Sequence, residues 1–325
     1  MSFPLPGTPR ARLTTIVVVA VVLGMGLGTG STLAAFTGQT SNTSAFAAAP
    51  DWLPPTVTAS VVAPVGAGVV PLRPGVSYYV YALVTDAGGT PSGPATVTAN
   101  MSTVTVGATG VTLTAGTYVV GGTTYGWRSG ALTAGAGLTS GSYAYSHTST
   151  DGAGNTSGIQ PGFSVTVDAT APTAVDVQGT NTSGGVVGRP DAGDTLTFTY
   201  SEEIAPNSVL AGWNGSATPV VVRFFRSGGS RPMTIRNAAN TAQLPLGTTT
   251  VSTHAGNGAT VDFLSSSMVH SGDTITITLG TVSGAPQTAA AHQMSWVPSA
   301  TVTDPAGNAG TTATVLEGGA SDADF

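Results

Sequence analysis

The stretch DTLTFTYSE, Asp194–Glu202, alternates in both size and polarity. Leu196, Phe198 and Tyr200 fall on one side of an extended chain, and Thr195, Thr197, Thr199 and Ser201 on the other. A helix would scatter these residues around its axis, whereas a strand gathers the large apolar ones on one face. The same period recurs in GDTITITLG with Ile275, Ile277 and Leu279, and in GFSVTVD with Phe163, Val165 and Val167. Such half-apolar strands belong to antiparallel sheets with one face on a core.

Working outward, VSYYVYALV (Val76–Val84) is apolar on both faces and suits a central strand. VTASVVA at Val57, ATVTANMS around Val97, VTLTAGTYVV around Leu113 and GSYAYSHTS with Tyr143 and Tyr145 add further strands. VRFFRSGGSRPMTIRN reads as a hairpin, Val220–Phe225 and Met233–Asn237 around SGGSRP. No helical period follows residue 35. Short strands punctuated by Gly and Pro predict an all-β chain of two immunoglobulin-like β-sandwich domains in tandem. The expected bounds are 54–169 and 170–325, with the surplus of the second in loops between Asn240 and Thr260 and between Ser283 and Ser295.

The N-terminus reads differently. Arg10 and Arg12 precede an apolar run from Leu13 to Leu27, and small residues gather at Ser31–Ala35. This is the order of a secretory signal, and the run is shorter than the roughly 20 residues that span a bilayer. The expectation is a signal helix over 1–35, cleaved near Ala34 or Ala35, and a linker over 36–53. An uncleaved anchor is the alternative, and membrane contact is expected only through this segment. The AAFTGQTSNTSAF stretch that follows resembles the start of SipW-dependent, TasA-like exported proteins. That resemblance implies a cell-surface or matrix destination.

Composition closes off several chemistries. Only 7% of the 325 residues are charged, against a usual ~25%. All nine basic residues are Arg, and there is no Cys. Lysine Schiff bases, P-loop lysines, disulfides and zinc thiolates are therefore excluded. The net charge of −6 and the scattered Arg argue against nucleic acid as a partner.

Three similar loops raise the question of a site: TDAGGTPSG at Thr85, TDGAGNTSG at Thr150 and TDPAGNAGT at Thr303. An EF-hand loop needs oxygen ligands at positions 1, 3 and 5 and a Glu at 12. Counting from Asp151 or Asp304, position 3 is Ala153 or Ala306 and position 12 is Gly162 or Val315, so neither loop qualifies. Turn capping by Asp and Asn, with Gly at positive φ, explains the residues. No resident cofactor is expected. Oxygen-only ligation would suit calcium in a secreted setting, with Asp151, Asp168, Asp176 and Asp304 as candidates pooled across the junction between domains.

The remaining candidates are weaker. Glu202 and Glu203 are adjacent and would point to opposite faces of a strand, which suits solvated edge charges better than a catalytic pair. His147, His254, His270 and His292 form no metal-binding spacing. YGWRSG places Tyr125, Trp127 and Arg128 on an expected turn, the best contact patch in the sequence. No catalytic residue is assigned.

The TDGAGN and TDPAGN segments, with the junction VDATAPTAVDV at Val167–Val177, resemble bacterial surface Ig-like repeat proteins. GDTLTFTYSEEIAP at Gly193–Pro206 resembles the early strand of SbsA-type Ig-like domains of surface layers and adhesins. The resemblance implies a β-sandwich spacer or adhesive module and no enzyme. The expected partners are cell-surface or matrix components, a polysaccharide, or further copies of the chain joined at sheet edges. A carbohydrate-binding module is the alternative, with aromatic residues on an exposed face. A secreted hydrolase on a β-sandwich is the second, with converging carboxylates or Ser, His and Asp.

Overall fold

The computed structural model describes residues 51–323 except Gly89 and Thr253. The signal and most of the linker expected over 1–53 lie outside the described residues. Everything below belongs to the unit Ala48–Phe325.

The described chain is almost wholly β, with a single helical turn at Pro206–Val209 (α1). Two sheets form two β-sandwich or barrel-like bodies. The first sheet contains Thr56–Pro64 (β1), Ser77–Thr85 (β2), Pro94–Asn100 (β3), Val111–Val120 (β4), Thr123–Ser129 (β5), Leu132–Thr133 (β6), Gly141–Asp151 (β7) and Gln160–Val167 (β8). Its order is β1-β2-β5-β4-β3-β7-β8, with β6 also on β2. The second contains Ala174–Thr180 (β9), Thr195–Tyr200 (β10), Thr218–Phe225 (β11), Pro232–Asn237 (β12), Thr248–Thr250 (β13), Thr260–Ser271 (β14), Thr274–Thr278 (β15), Thr281–Ser283 (β16), Ser295–Val297 (β17) and Val315–Leu316 (β18). Its order is β18-β17-β13-β12-β11-β14-β15-β10-β9, with β16 also on β14.

Each sheet curls until its ends meet, and polar side chains help to join them. In the first, β8 returns against β1, where the Val57 N–H donates to Gln160 Oε1 at 2.7 Å. Leu72 bridges to Val167 in parallel. In the second, β9 meets β17 and β18. There Gly318 N–H donates to Asp176 Oδ1 at 2.8 Å, and Gly179 N–H to Glu317 Oε1 at 3.4 Å. The Gly179 N–H is buried, where an orphan donor would cost about 1–3 kcal/mol.

The alternation in β10 is realised in full. Leu196, Phe198 and Tyr200 are buried, and Thr195, Thr197 and Thr199, which alternate with them, are half-buried. Leu196 faces Ile277 and Phe198 faces Ile275 across β15. Phe198 and Tyr200 pack on Trp296, with ring centroids 4.9 and 5.0 Å away. Trp296 is fully buried and donates its indole N–H to the Leu246 carbonyl at 2.7 Å. A separate core, built on Val62, Leu72, Tyr78, Val80, Val97 and Leu113, fills the first body.

One expected turn is a strand. YGWRSG lies in β5, paired with β2 and β4, and Tyr125 and Trp127 are buried. The true turn precedes it at Gly121–Gly122, both at positive φ, which is the backbone of a tight two-residue hairpin between β4 and β5. Arg128 lies between the rings of Tyr79 and Tyr118, 4.3 and 4.4 Å from their centroids.

Candidate functional site

The loop at Asp151 begins where β7 ends. Asn155 folds back on it: its backbone N–H donates to Asp151 Oδ1 at 2.8 Å and its Nδ2 to Asp151 Oδ2 at 2.7 Å. The same Nδ2 donates to the Asp51 carbonyl at 3.0 Å. The loop at Asp304 repeats this bond for bond. Asn308 N–H meets Asp304 Oδ1 at 2.8 Å, and its Nδ2 meets Asp304 Oδ2 at 2.7 Å and the Asp168 carbonyl at 3.0 Å. Gly154 and Gly307 hold φ of 93° and 89°, a conformation that glycine adopts without strain. These loops are turn chemistry, as the sequence suggests, and they also position carboxylates.

Each loop brings three carboxylates together. Asp51, Asp86 and Asp151 place oxygens within 4.8 Å of one another, and Asp168, Glu202 and Asp304 do the same. The two sets correspond in position. Asp51 and Asp168 each precede a Pro by four residues, at Pro55 and Pro172, just before β1 and β9. Asp86 follows β2 directly and Glu202 lies shortly past the end of β10. Asp151 and Asp304 open the Asp-x-Ala-Gly-Asn loops, with Gly152 and Pro305 at the variable place.

Crowded carboxylates repel one another, and their electrostatics record it. Burial, with Asp168 and Asp304 adding to it, pushes the Glu202 carboxyl up to about 7. Burial also raises Asp86, and neighbouring Asp51 and Asp151 push the same way against a bond from Gly93 N–H. Asp51 moves down, held mainly by the Ser92 backbone N–H at 2.8 Å. Glu202 Oε1 and Asp86 Oδ1 are buried oxygens without a hydrogen-bond partner among the described residues. Oxygen-only ligands at this spacing are what a hard divalent cation takes, and calcium tolerates the irregular geometry better than magnesium. The residues present therefore fit calcium.

Of the four Asp that the sequence offers as calcium candidates, Asp151 lies in one carboxylate group, and Asp168 and Asp304 lie together in the other. Asp176 is not in either set; it caps the Gly318 N–H at the closure of the second sheet. Glu202 is not a solvated edge charge. The strand ends at Tyr200, so the two-residue alternation no longer applies, and Glu202 and Glu203 both line one cavity of about 330 Å³ with Pro71, Asp168, Pro305 and Ala306. Asp51 and Asp86 were missed. The signal was present in the Asp-x3-Pro spacing shared by Asp51 and Asp168, and in the third loop, TDAGGTPSG, which supplies Asp86 and Ser92.

Other sequence candidates are placed as follows. His147 donates from Nδ1 to the Thr98 carbonyl at 3.2 Å, and its Nε2 lies 2.8 Å from Ser60 Oγ. No histidine belongs to a metal-ligating group among the described residues. Of the contact patch, Tyr125 and Trp127 are buried, and Arg128 is held between tyrosines. No helix among the described residues is long and apolar enough to cross a membrane. Searches against protein-family models and curated proteins find no match to this chain.

Proposed function

We propose that this chain is an exported, non-enzymatic structural or adhesive protein of a bacterial cell surface or matrix, built from two Ig-like modules whose ends are fixed by calcium. The observation that carries this reading is the duplicated carboxylate triad. Each triad joins the segment before the first strand of a body (Asp51 or Asp168), the chain after its second strand (Asp86 or Glu202) and a late Asp-x-Ala-Gly-Asn loop. Asp168 also sits where the first sheet ends and the second begins, so the second triad lies at the connector. Calcium there would offset most of the charge of three crowded carboxylates, its +2 set against their −3. An ion-stiffened series of β modules suits a spacer or adhesin that presents its loops and faces at a distance from the cell.

The test is thermal unfolding of the full chain in calcium, magnesium or chelator. A ligand that binds only the folded state stabilises it by about 2.7 kcal/mol at a hundredfold excess over Kd. The expected result is a melt raised by several degrees in calcium and two bound ions by titration calorimetry. Asp304→Asn should remove one ion and Asp151→Asn the other. A melt indifferent to calcium would leave the loops as turn chemistry alone and would sink the reading.

A further inference from the structure

Charge is unevenly distributed along this acidic chain. Between Glu203 and Asp262 there is no carboxylate but four Arg, at 223, 226, 231 and 236. That segment carries +4 within a chain of −6 overall, leaving −10 elsewhere. All four Arg lie on the hairpin of β11 and β12 or its turn. Two of them share one face. Val222, Phe224, Met233 and Ile235 point into the core, so Arg223 and Phe225 on β11 and Thr234 and Arg236 on β12 point outward. Arg223 pairs directly with Thr234 across the strands.

These outward residues line a pocket of about 310 Å³, together with Pro232 and Gln243. Its cations are held in place before any ligand arrives. Arg223 forks onto Asp262 through Nε and Nη2 at 2.7 and 2.8 Å. Asn240 Nδ2 donates to the same carboxylate at 3.0 Å. Arg236 donates from Nε to Asn240 Oδ1 at 2.7 Å and from Nη2 to the Asn240 carbonyl at 3.2 Å. Asp262 thus balances Arg223, while Arg236 forms no ion pair with a carboxylate among the described residues. One guanidinium charge is left over, fixed in orientation, at the wall of the pocket. Phe225 adds a partly exposed aromatic ring, 37% accessible. Gln243 and Thr234 add amide and hydroxyl groups.

We infer that this pocket binds a carboxylate-bearing sugar, a uronate unit of an acidic polysaccharide. A carboxylate matches the terminal edge of the Arg236 guanidinium, away from the Nε that Asn240 holds, and a pre-ordered guanidinium loses little freedom on binding. The apolar face of a sugar ring suits Phe225 and Pro232, and ring hydroxyls suit Gln243 and Thr234. The volume sits at the small end of ligand pockets, which fits a single ring of a chain lying across the surface. This reading goes beyond the calcium-fixed modules and does not depend on them, since no triad residue lines the pocket.

The experiment is titration of the full chain in chelator with an oligogalacturonate, a neutral cello-oligosaccharide and a polyglutamate peptide. The oligogalacturonate should bind, more weakly as salt rises, and the other two should not. Arg236→Gln should weaken binding by about tenfold or more. Phe225→Ala should weaken it as well, and Arg236→Lys should keep part of the affinity. Arg226→Gln, on the same hairpin but outside the pocket, should bind as the parent does. Melting curves of the variants near the parent's would show that the hairpin is intact. Absent oligogalacturonate binding, equal binding of the neutral sugar or of polyglutamate, or an unchanged Arg236→Gln would each overturn the inference.

Discussion

Glu202 is the residue in which the second triad can be measured most directly. Its carboxyl is raised to about 7, from an ordinary value near 4.5, by burial and by Asp168 and Asp304. Between those values the folded chain holds a proton that the unfolded chain has released. Without metal, stability therefore falls as pH rises through that window. Glu202→Gln removes the penalty, so its advantage over the parent should be small at pH 4.5 and largest above pH 7 in chelator. In calcium the ionised carboxylate becomes a ligand and the sign should reverse, with the Gln variant melting lower. Paired melts at the two pH values check both statements; a difference that is flat with pH in chelator would contradict the raised carboxyl. At this scale the sequence shows which residue types are present but not which ones meet. Asp151 lies far from Asp51 along the chain, and only the return of β7 beside the segment before β1 brings them together.

Strands were the legible part of the sequence where one face is apolar. β10, β15, β8 and the β11–β12 hairpin stand out because their alternation is clean and their ends are marked by Gly, Asp or Pro. β5 was illegible because Gly126 and Arg128 interrupt its apolar positions, although Tyr125, Trp127 and Ser129 keep the period of two on the buried side. The pair Gly121–Gly122 between β-branched flanks was the available signal. Connections between elements carry their own constraints. Gly247 has φ of +91° and lies just before β13, where an added Cβ would run into the Val297 carbonyl oxygen and the Pro298 backbone. The neighbouring Leu246 carbonyl accepts the Trp296 indole N–H. Gly247→Ala should therefore push β13 away from β17 and loosen Trp296, at a cost of about 2–4 kcal/mol. Denaturant unfolding with Trp fluorescence would report both; a variant as stable as the parent would show that the turn has another conformation open to it.

Across the whole molecule, acid should act through two buried histidines, one in each body. Burial pushes His147 and His254 down to about 4, against partial support from the Thr98 and Gln287 carbonyls. As pH falls from about 6.5 towards 4, the unfolded chain takes up protons that the folded chain does not. Stability is lost over that window, by up to about 3 kcal/mol for each histidine. Glu202 acts in the opposite direction below pH 7, so in chelator the stability maximum should lie near neutrality. Urea midpoints measured from pH 4 to pH 8 would trace the curve, and a midpoint still rising below pH 6 would show that the histidines do not dominate. The all-β character was legible in the strand spacing. The curling of each sheet onto itself was not, because it is completed by single side chains, Gln160, Asp176 and Glu317, that sequence alone does not distinguish from surface polar residues.

The amide of Asn308 holds the backbone carbonyl of Asp168, and Asn155 holds that of Asp51. Each body is therefore fastened, at the point where the chain runs into it, to its own late loop. If the protein is pulled from its two ends, tension arriving at Asp168 passes into the Asp304–Asn308 loop before it reaches the first hydrogen bond of β9. The fastening is a tensile clasp: it spares the strand from being peeled one bond at a time, and any ion drawn to the adjoining carboxylates would raise the force needed to open it.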